Sequence, residues 1–195
     1  MIPKTAEDAL AAIKVCGMAD GDRFDLTACA LACAMHDNPD RDVSAALDIL
    51  SALTARAQAE QPRNPQELAR LLYADFGFHG GGGDYDAPAK CDLIDILQTR
   101  TGLPIGLGVI WRHVARLTGA PLSGTDVPGH FILRLEGETG PIFIDAFEGG
   151  VILEQGDLDE IAARAGLDRL SDRMLRPVSD KVMAVRLQTN LVSRA

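Results

Sequence analysis

Residues 104–131 read PIGLGVIWRHVARLTGAPLSGTDVPGHF, and the change of texture within them decides the fold. Apolar residues first recur at helical spacing, from roughly Gly106 to Thr118. Beyond Thr118 the period shifts towards two, as a pleated strand requires. PLSGTDV, HFILRLEG, PIFIDAF and GGVILE then read as short strands separated by glycine or proline turns. The strand from His130 to Leu135 alternates around Phe131, Leu133 and Leu135, and Val151 to Leu153 forms a short last strand.

Within this region one pair of residues carries chemistry. His130 sits in PGHF at the start of a strand, where Pro128 and Gly129 fix the approach of the backbone. Asp145 follows fifteen residues later in IFIDAF. A hairpin joining the two strands would set the side chains opposite one another. A carboxylate that accepts a hydrogen bond from one imidazole nitrogen fixes the tautomer and stabilises the imidazolium. This is the base half of a catalytic triad, and it is equally what a structural His–Asp pair at a sheet edge looks like.

The first 74 residues read as helices. Thr5 and Asp8 cap an apolar run reaching Val15, and Asp25 caps a second helix with Leu26, Ala30, Leu31 and Met35. A third carries Val43, Ala46, Leu47, Leu50 and Leu53. Asn64, Pro65 and Glu67 supply a cap, a first-turn proline and an acidic third position for a fourth, whose apolar face is Leu68, Leu71 and Leu72. In FGFHGGGGDYDAP, Gly80 to Gly83 cannot hold a helix cheaply and mark a mobile loop, flanked by His79, Tyr85 and Asp86. A helix from Asp92 to Arg100 leads into the one at Gly106. Near the end, Asp157 is expected to cap one helix and Ser179 the last, with the stripe Met183, Leu187 and Leu191.

Helices, then an antiparallel sheet, then helices indicate an α+β fold. The expected organisation is a helical region over 1–74 and an α+β core over 75–195, forming one compact unit.

Composition bounds the function. Hydrophobic residues make up 47% and charged residues 24% of 195, ordinary values for a globular chain. No apolar run approaches the roughly 18 residues of a membrane span, and MIPKTAEDAL lacks the pattern of a signal peptide. Cys16, Cys29, Cys33 and Cys91 show no disulfide-framework spacing, so reduced thiols in a cytoplasmic protein are expected. A formal net charge of -9 repels a phosphate backbone, and the basic stretch from Arg164 to Arg176 is interleaved with Asp168 and Asp172. Neither nucleic acid nor membrane is an expected partner.

The segment from Gly77 to Leu153 resembles the transglutaminase-like superfamily, and specifically its bacterial SirB-type branch. The matching motifs are Gly77-Phe78, Tyr85-Asp86, Arg100-Thr101-Gly102-Leu103-Pro104-Ile105, Pro128-Gly129-His130-Phe131 and Asp145-Ala146-Phe147-Glu148-Gly149-Gly150. The stretch LRPVSDKVMAVRLQTNL, from Leu175 to Leu191, resembles the tail of the same branch. The resemblance implies a papain-like α+β core in which a cysteine opens the central helix while His and Asp come from adjacent strands. His130 and Asp145 match those two positions. Longer members carry tetratricopeptide repeats after this domain, which implies partner binding, and no such array is expected within this chain.

The departures from the pattern fall on the nucleophile. Pro104 to Gly106 contains neither Cys nor Ser, and the usual Ser has become Gly106. Asn-Ser-Tyr-Leu reads Lys90-Cys91-Asp92-Leu93, and Asp-Pro-Phe reads Asp145-Ala146-Phe147. A triad needs a thiolate or alkoxide within reach of the base, and glycine supplies none.

Cys91 is the candidate replacement, because a thiol at a helix start beside Lys90 has a lowered pKa. Cys29, Cys33 and His36 fall at i, i+4 and i+7 and could offer metal ligands from one helix face. The same spacing is what a core stripe produces, so no metal and no cofactor are expected. The glycine run lacks the Lys-Ser/Thr of a phosphate loop. Trp111 reads as core or interface, and His113 as lying on the rim of its helix.

The expected function is therefore a non-catalytic transglutaminase-like domain. Its degenerate cleft, lined by Tyr85, Gly106, His130 and Asp145, would take a peptide, a protein partner or a small polar ligand. The alternative is a cysteine hydrolase or acyltransferase using Cys91 with His130 and Asp145.

Overall fold

A computed structural model describes residues 5–19, 21–81 and 87–194. Its helices are α1 (Ala6–Met18), α2 (Leu26–Asp37), α3 (Ser44–Glu60), α4 (Pro65–Ala69), α5 (Leu93–Thr99), α6 (Pro104–Thr118), α7 (Gln155–Arg164) and α8 (Asp180–Val192). The strands are β1 (Leu122–Gly124), β2 (Leu133–Gly137), β3 (Gly140–Asp145) and β4 (Val151–Leu153). They form one antiparallel sheet in the order β1-β2-β3-β4, so the fold is α+β as the sequence indicates.

The helix starts follow the sequence closely. Thr5 accepts from the Asp8 N–H at 3.0 Å, Asp25 from Ala28 at 3.0 Å, and Asn64 from Glu67 at 2.9 Å. Ser179 receives the Val182 N–H. At α7 the cap differs from expectation. Glu154 occupies the cap position, and Asp157, in the third helical position, accepts from the Glu154 N–H at 2.8 Å. Asp157 thus supplies the returning half of a capping box. After α4 the chain widens into a π turn over Arg70–Asp75, which buries Leu71 and Leu72 together.

α6 is the centre of the molecule. Ile105, Leu107, Val109, Ile110, Trp111 and Val114 are all at most 2% exposed, the burial expected of a helix that is apolar nearly all round. α2, α3, β1 and α8 all pack against α6. His113, expected at the rim, instead meets α3. Its Nε2 lies 2.9 Å from the Thr54 hydroxyl, and burial lowers its pKa.

Phe131 locks the sheet to α6. A methyl group built at Gly108 of α6 would lie 2.4 Å from the Phe131 ring, and one at Gly124 of β1 would lie 2.6 Å from it. The ring fills a slot that these glycines leave open, and burying it stabilises the fold by roughly 1.5–3 kcal/mol. Because Phe131 follows His130 directly, the slot also sets where the histidine stands.

Candidate functional site

The site is built from the turn before β2 and the end of β3. Strand pairing begins at Leu133, so His130 precedes the strand that the sequence placed it in. Pro128 and Gly129 form a turn, and Gly129 adopts φ +70°, a conformation that favours glycine. The register sets Leu133 opposite Ile144, so the turn that precedes β2 runs towards the end of β3, where Asp145 lies.

His130 Nε2 lies 2.7 Å from Asp145 Oδ2. The carboxylate is 7% exposed and the imidazole 20% exposed. Asp145 Oδ1 accepts from the Phe147 N–H at 2.8 Å and from Glu148 at 3.4 Å, so the turn after β3 holds the carboxylate in place. An ionised carboxylate only accepts hydrogen bonds, so Nε2 must carry a proton. Nδ1 then presents a lone pair when the ring is neutral, and it has no hydrogen-bond partner among the described residues. Such a nitrogen can accept a hydrogen bond from a ligand or take a proton from one. His130 also lines a cavity of about 80 Å³ with Pro128, Gly129, Ile161, Arg164 and Ala165.

The glycine run starts beside this pair. The Gly80 N–H donates to the Phe147 carbonyl at 2.8 Å, and a Cβ at Gly80 would fall 2.3 Å from the Phe147 ring. Lys90 Nζ donates to Thr101 Oγ1 at 2.7 Å and reaches the Gly81 carbonyl at 3.4 Å. Tyr85 and Asp86 lie outside the described residues.

Gly106 does not line an open cleft. It is buried, and a Cβ there would meet Ile96 Cδ1 at 2.3 Å and the Lys90 carbonyl at 3.5 Å. A side chain at position 106 would have to displace Ile96.

Cys91 is a second correction. It ends a short 3-10 turn over Pro88–Lys90, and the free N–H groups of α5 are taken by Asp92, whose Oδ1 accepts from Ile94 and Asp95. The thiol is 1% exposed, and burial pushes its pKa up to about 11. This is the reverse of nucleophile activation.

The remaining cysteines gather where α1 packs on α2. Burial and Cys29 push Cys16 up to about 11, and Cys33 together with burial holds Cys29 well above the ordinary thiol range. Cys33 is lowered by the hydrogen bond from Cys29. His36 is exposed, and no metal-binding group of three or more His, Cys, Asp or Glu occurs among the described residues.

Two residues that sequence reasoning missed shape the site. Ile96 fills the position beside Gly106. Arg186 on α8 donates to the carbonyl oxygens of Val127 at 2.8 Å and His130 at 2.5 Å, bracketing the histidine turn. Its guanidinium carbon lies 5.4 Å from the centre of the Phe131 ring. The only signal for Arg186 was its place in the family-like tail.

No helix among the described residues is long and apolar enough to cross a membrane. The transglutaminase-like superfamily model matches residues 41–189. A UPF0162 protein of Xylella fastidiosa is 30% identical over 185 residues, covering 89% of this chain and 66% of that protein. The UPF0162 protein of Vibrio cholerae is 30% identical over 141 residues, covering 68% of this chain and 52% of its own length. Human F-box only protein 21 is 36% identical over 88 residues, 41% of this chain and 14% of that protein. The chain thus spans about two thirds of the length of the Xylella relative. No solved structure matches. The UPF0162 relatives fit the SirB-type branch, and the chain belongs to the transglutaminase-like superfamily.

Proposed function

We propose that this domain is non-catalytic and binds a peptide, a protein partner or a small polar ligand against the His130–Asp145 pair. The observation that carries this reading is the packing of Ile96 where a side chain at Gly106 would stand. The His130–Asp145 pair keeps an oriented imidazole whose Nδ1 is suited to accept a hydrogen bond from a bound donor. Without a nucleophile, the pair can orient and recognise but cannot form a covalent intermediate. Nothing at Cys91 favours the hydrolase alternative, since the thiol is buried and its pKa is raised.

Two measurements test the reading. Iodoacetamide alkylation of each cysteine, followed by peptide mapping across pH, is expected to show no rate that depends on His130. Fast alkylation of Cys91 at neutral pH, lost in His130→Ala, would restore the enzyme. A thermal-shift panel of amino acids and short peptides is expected to yield stabilising compounds whose effect disappears in both His130→Ala and Asp145→Asn. Stabilisation that is unchanged in those variants would place binding elsewhere.

A further inference from the structure

The groove on the other side of the histidine turn has a distinct chemistry. A cavity of about 820 Å³ opens between the turn, the segment at 171–178 and α8. Pro128 lines both this cavity and the small one at His130. Its walls include Met174, Val178, Val182 and Val185, and Val182 and Val185 are 44% and 66% exposed.

The charged groups around it are mostly arginines. Arg173, Arg176 and Arg186 line the groove, against Asp126 as the carboxylate. Arg186 uses its donors on the turn carbonyls and approaches Asp126 at 3.6 Å. Arg173 and Arg176 are exposed and have no ion pair among the described residues. Arg164, which lines the cavity at His130, is in the same state. The chain carries 28 Asp and Glu against 19 Lys and Arg, so unpaired arginines on both flanks of one turn run against its overall charge.

We infer that this groove docks an acidic peptide segment, its aliphatic side chains on the Val182–Val185 face and its carboxylates on Arg173 and Arg176. Guanidinium groups suit carboxylates through paired N–H donors, and the apolar wall removes aliphatic side chains from water. A single-stranded nucleic acid fits less well. It binds by stacking on aromatic side chains, and none lines the groove. The proposal rests on the binding reading above only in having the segment run across the turn to Arg164 and His130.

The test is selection of a phage-displayed library of random dodecapeptides on the intact protein. Recovered peptides are then synthesised and measured by fluorescence anisotropy. The expected binders are rich in Asp and Glu interspersed with aliphatic residues. Arg173→Glu/Arg176→Glu, a pair of exposed substitutions that leaves the core untouched, weakens them by at least about tenfold. Val185→Asp gives an independent loss. Three results overturn the assignment: no binders, binders poor in acidic residues, or acidic binders indifferent to Arg173→Glu/Arg176→Glu. A single-stranded oligonucleotide that binds as tightly as the peptides also overturns it. His130→Ala separates the two readings. Peptide binding that survives it keeps the groove when the His130 cleft fails. Binding lost in His130→Ala yet indifferent to the arginine substitutions keeps the cleft and removes the groove.

Discussion

Arg186 reaches from α8 to donate a 2.5 Å hydrogen bond to the carbonyl oxygen of His130, and the same nitrogen donates to Val127 at 2.8 Å. The two carbonyls bracket the Pro128–Gly129 turn, so a helix distant in sequence closes the loop that presents the imidazole. Burial lowers the pKa of this guanidinium, yet it remains charged, because an arginine starts so far above neutrality.

Arg186→Ala is expected to lower stability by about 2–3 kcal/mol, since hydrogen bonds to a charged donor are lost at part-buried carbonyls. Arg186→Lys recovers part of this. The N–H proton shared by His130 and Asp145 should broaden or shift in the alanine variant and return towards its wild-type position in the lysine variant. Chemical denaturation and proton NMR measure the two effects. An unchanged N–H signal in Arg186→Ala would show that the turn holds itself.

The Phe131 slot gives a second prediction. Gly108→Ala and Gly124→Ala would each place a methyl group within 2.6 Å of the ring. Overpacking of this kind costs about 1–3 kcal/mol. Phe131→Leu should relieve either substitution relative to their sum, which a double-mutant cycle from urea melts can measure. Additive losses would mean that the ring does not occupy the slot.

Gly106→Cys restores the residue type an enzyme would need, and it is expected to fail. The new Cβ would meet Ile96 Cδ1 at 2.3 Å, and Ile96 is itself fully buried, so room can come only from repacking the core. A loss of about 1–3 kcal/mol is expected, smaller when paired with Ile96→Val. Hydrolysis of activated esters should stay at background in both. Activity in the single variant, lost with His130→Ala, would mean that Ile96 yields and that the site is one residue from catalysis.

His113 makes stability depend on pH. The Thr54 hydroxyl donates to the Leu50 carbonyl at 2.8 Å, so His113 Nε2 is the donor in its 2.9 Å contact with Thr54. Burial depresses the folded-state pKa below the ordinary 6.5, with Arg116 adding to the effect and Asp25 opposing it. Below that value the unfolded chain takes up a proton that the folded chain resists. His113 therefore contributes stability that is present above about pH 6.5 and lost as pH falls through its folded pKa. Urea melts from pH 7.5 to 5 should show this slope, and His113→Gln should flatten it. An equal slope in both proteins would assign the dependence to other groups.

What the sequence made legible was local or motif-borne. Thr5, Asp25, Asn64 and Ser179 cap helices because capping needs only residues three positions apart. His130 and Asp145 were legible because a hairpin brings the turn before β2 near the end of β3 and the motif fixes their identity. Ile96 and Arg186 were not, because what matters about them is contact across the fold. No periodicity distinguishes an isoleucine that packs against Gly106 from any other core isoleucine. Cys91 misled for a related reason. Its distance from a helix start was readable, but its burial, which sets the thiol's pKa, depends on packing from elsewhere.

The boundary drawn near residue 75 bears the last prediction. One hydrophobic core includes Leu53, Ala57, Leu68 and Leu72 from before it and Ile94, Leu97, Ile110 and Trp111 from after it. Arg41 adds a 2.9 Å ion pair with Asp92 and a hydrogen-bonded pair with Asp95, tying the loop before α3 to the start of α5. A fragment of residues 75–195 would present the faces of α5 and α6 that α3 covers to water. It is expected to bind a hydrophobic dye and to unfold without a cooperative transition, as chains with secondary structure but lost packing do. Adding a peptide of residues 1–74 in trans should restore a sigmoidal melt. Cooperative melting by the fragment alone would make it a domain in its own right, with the helical region an accessory to it.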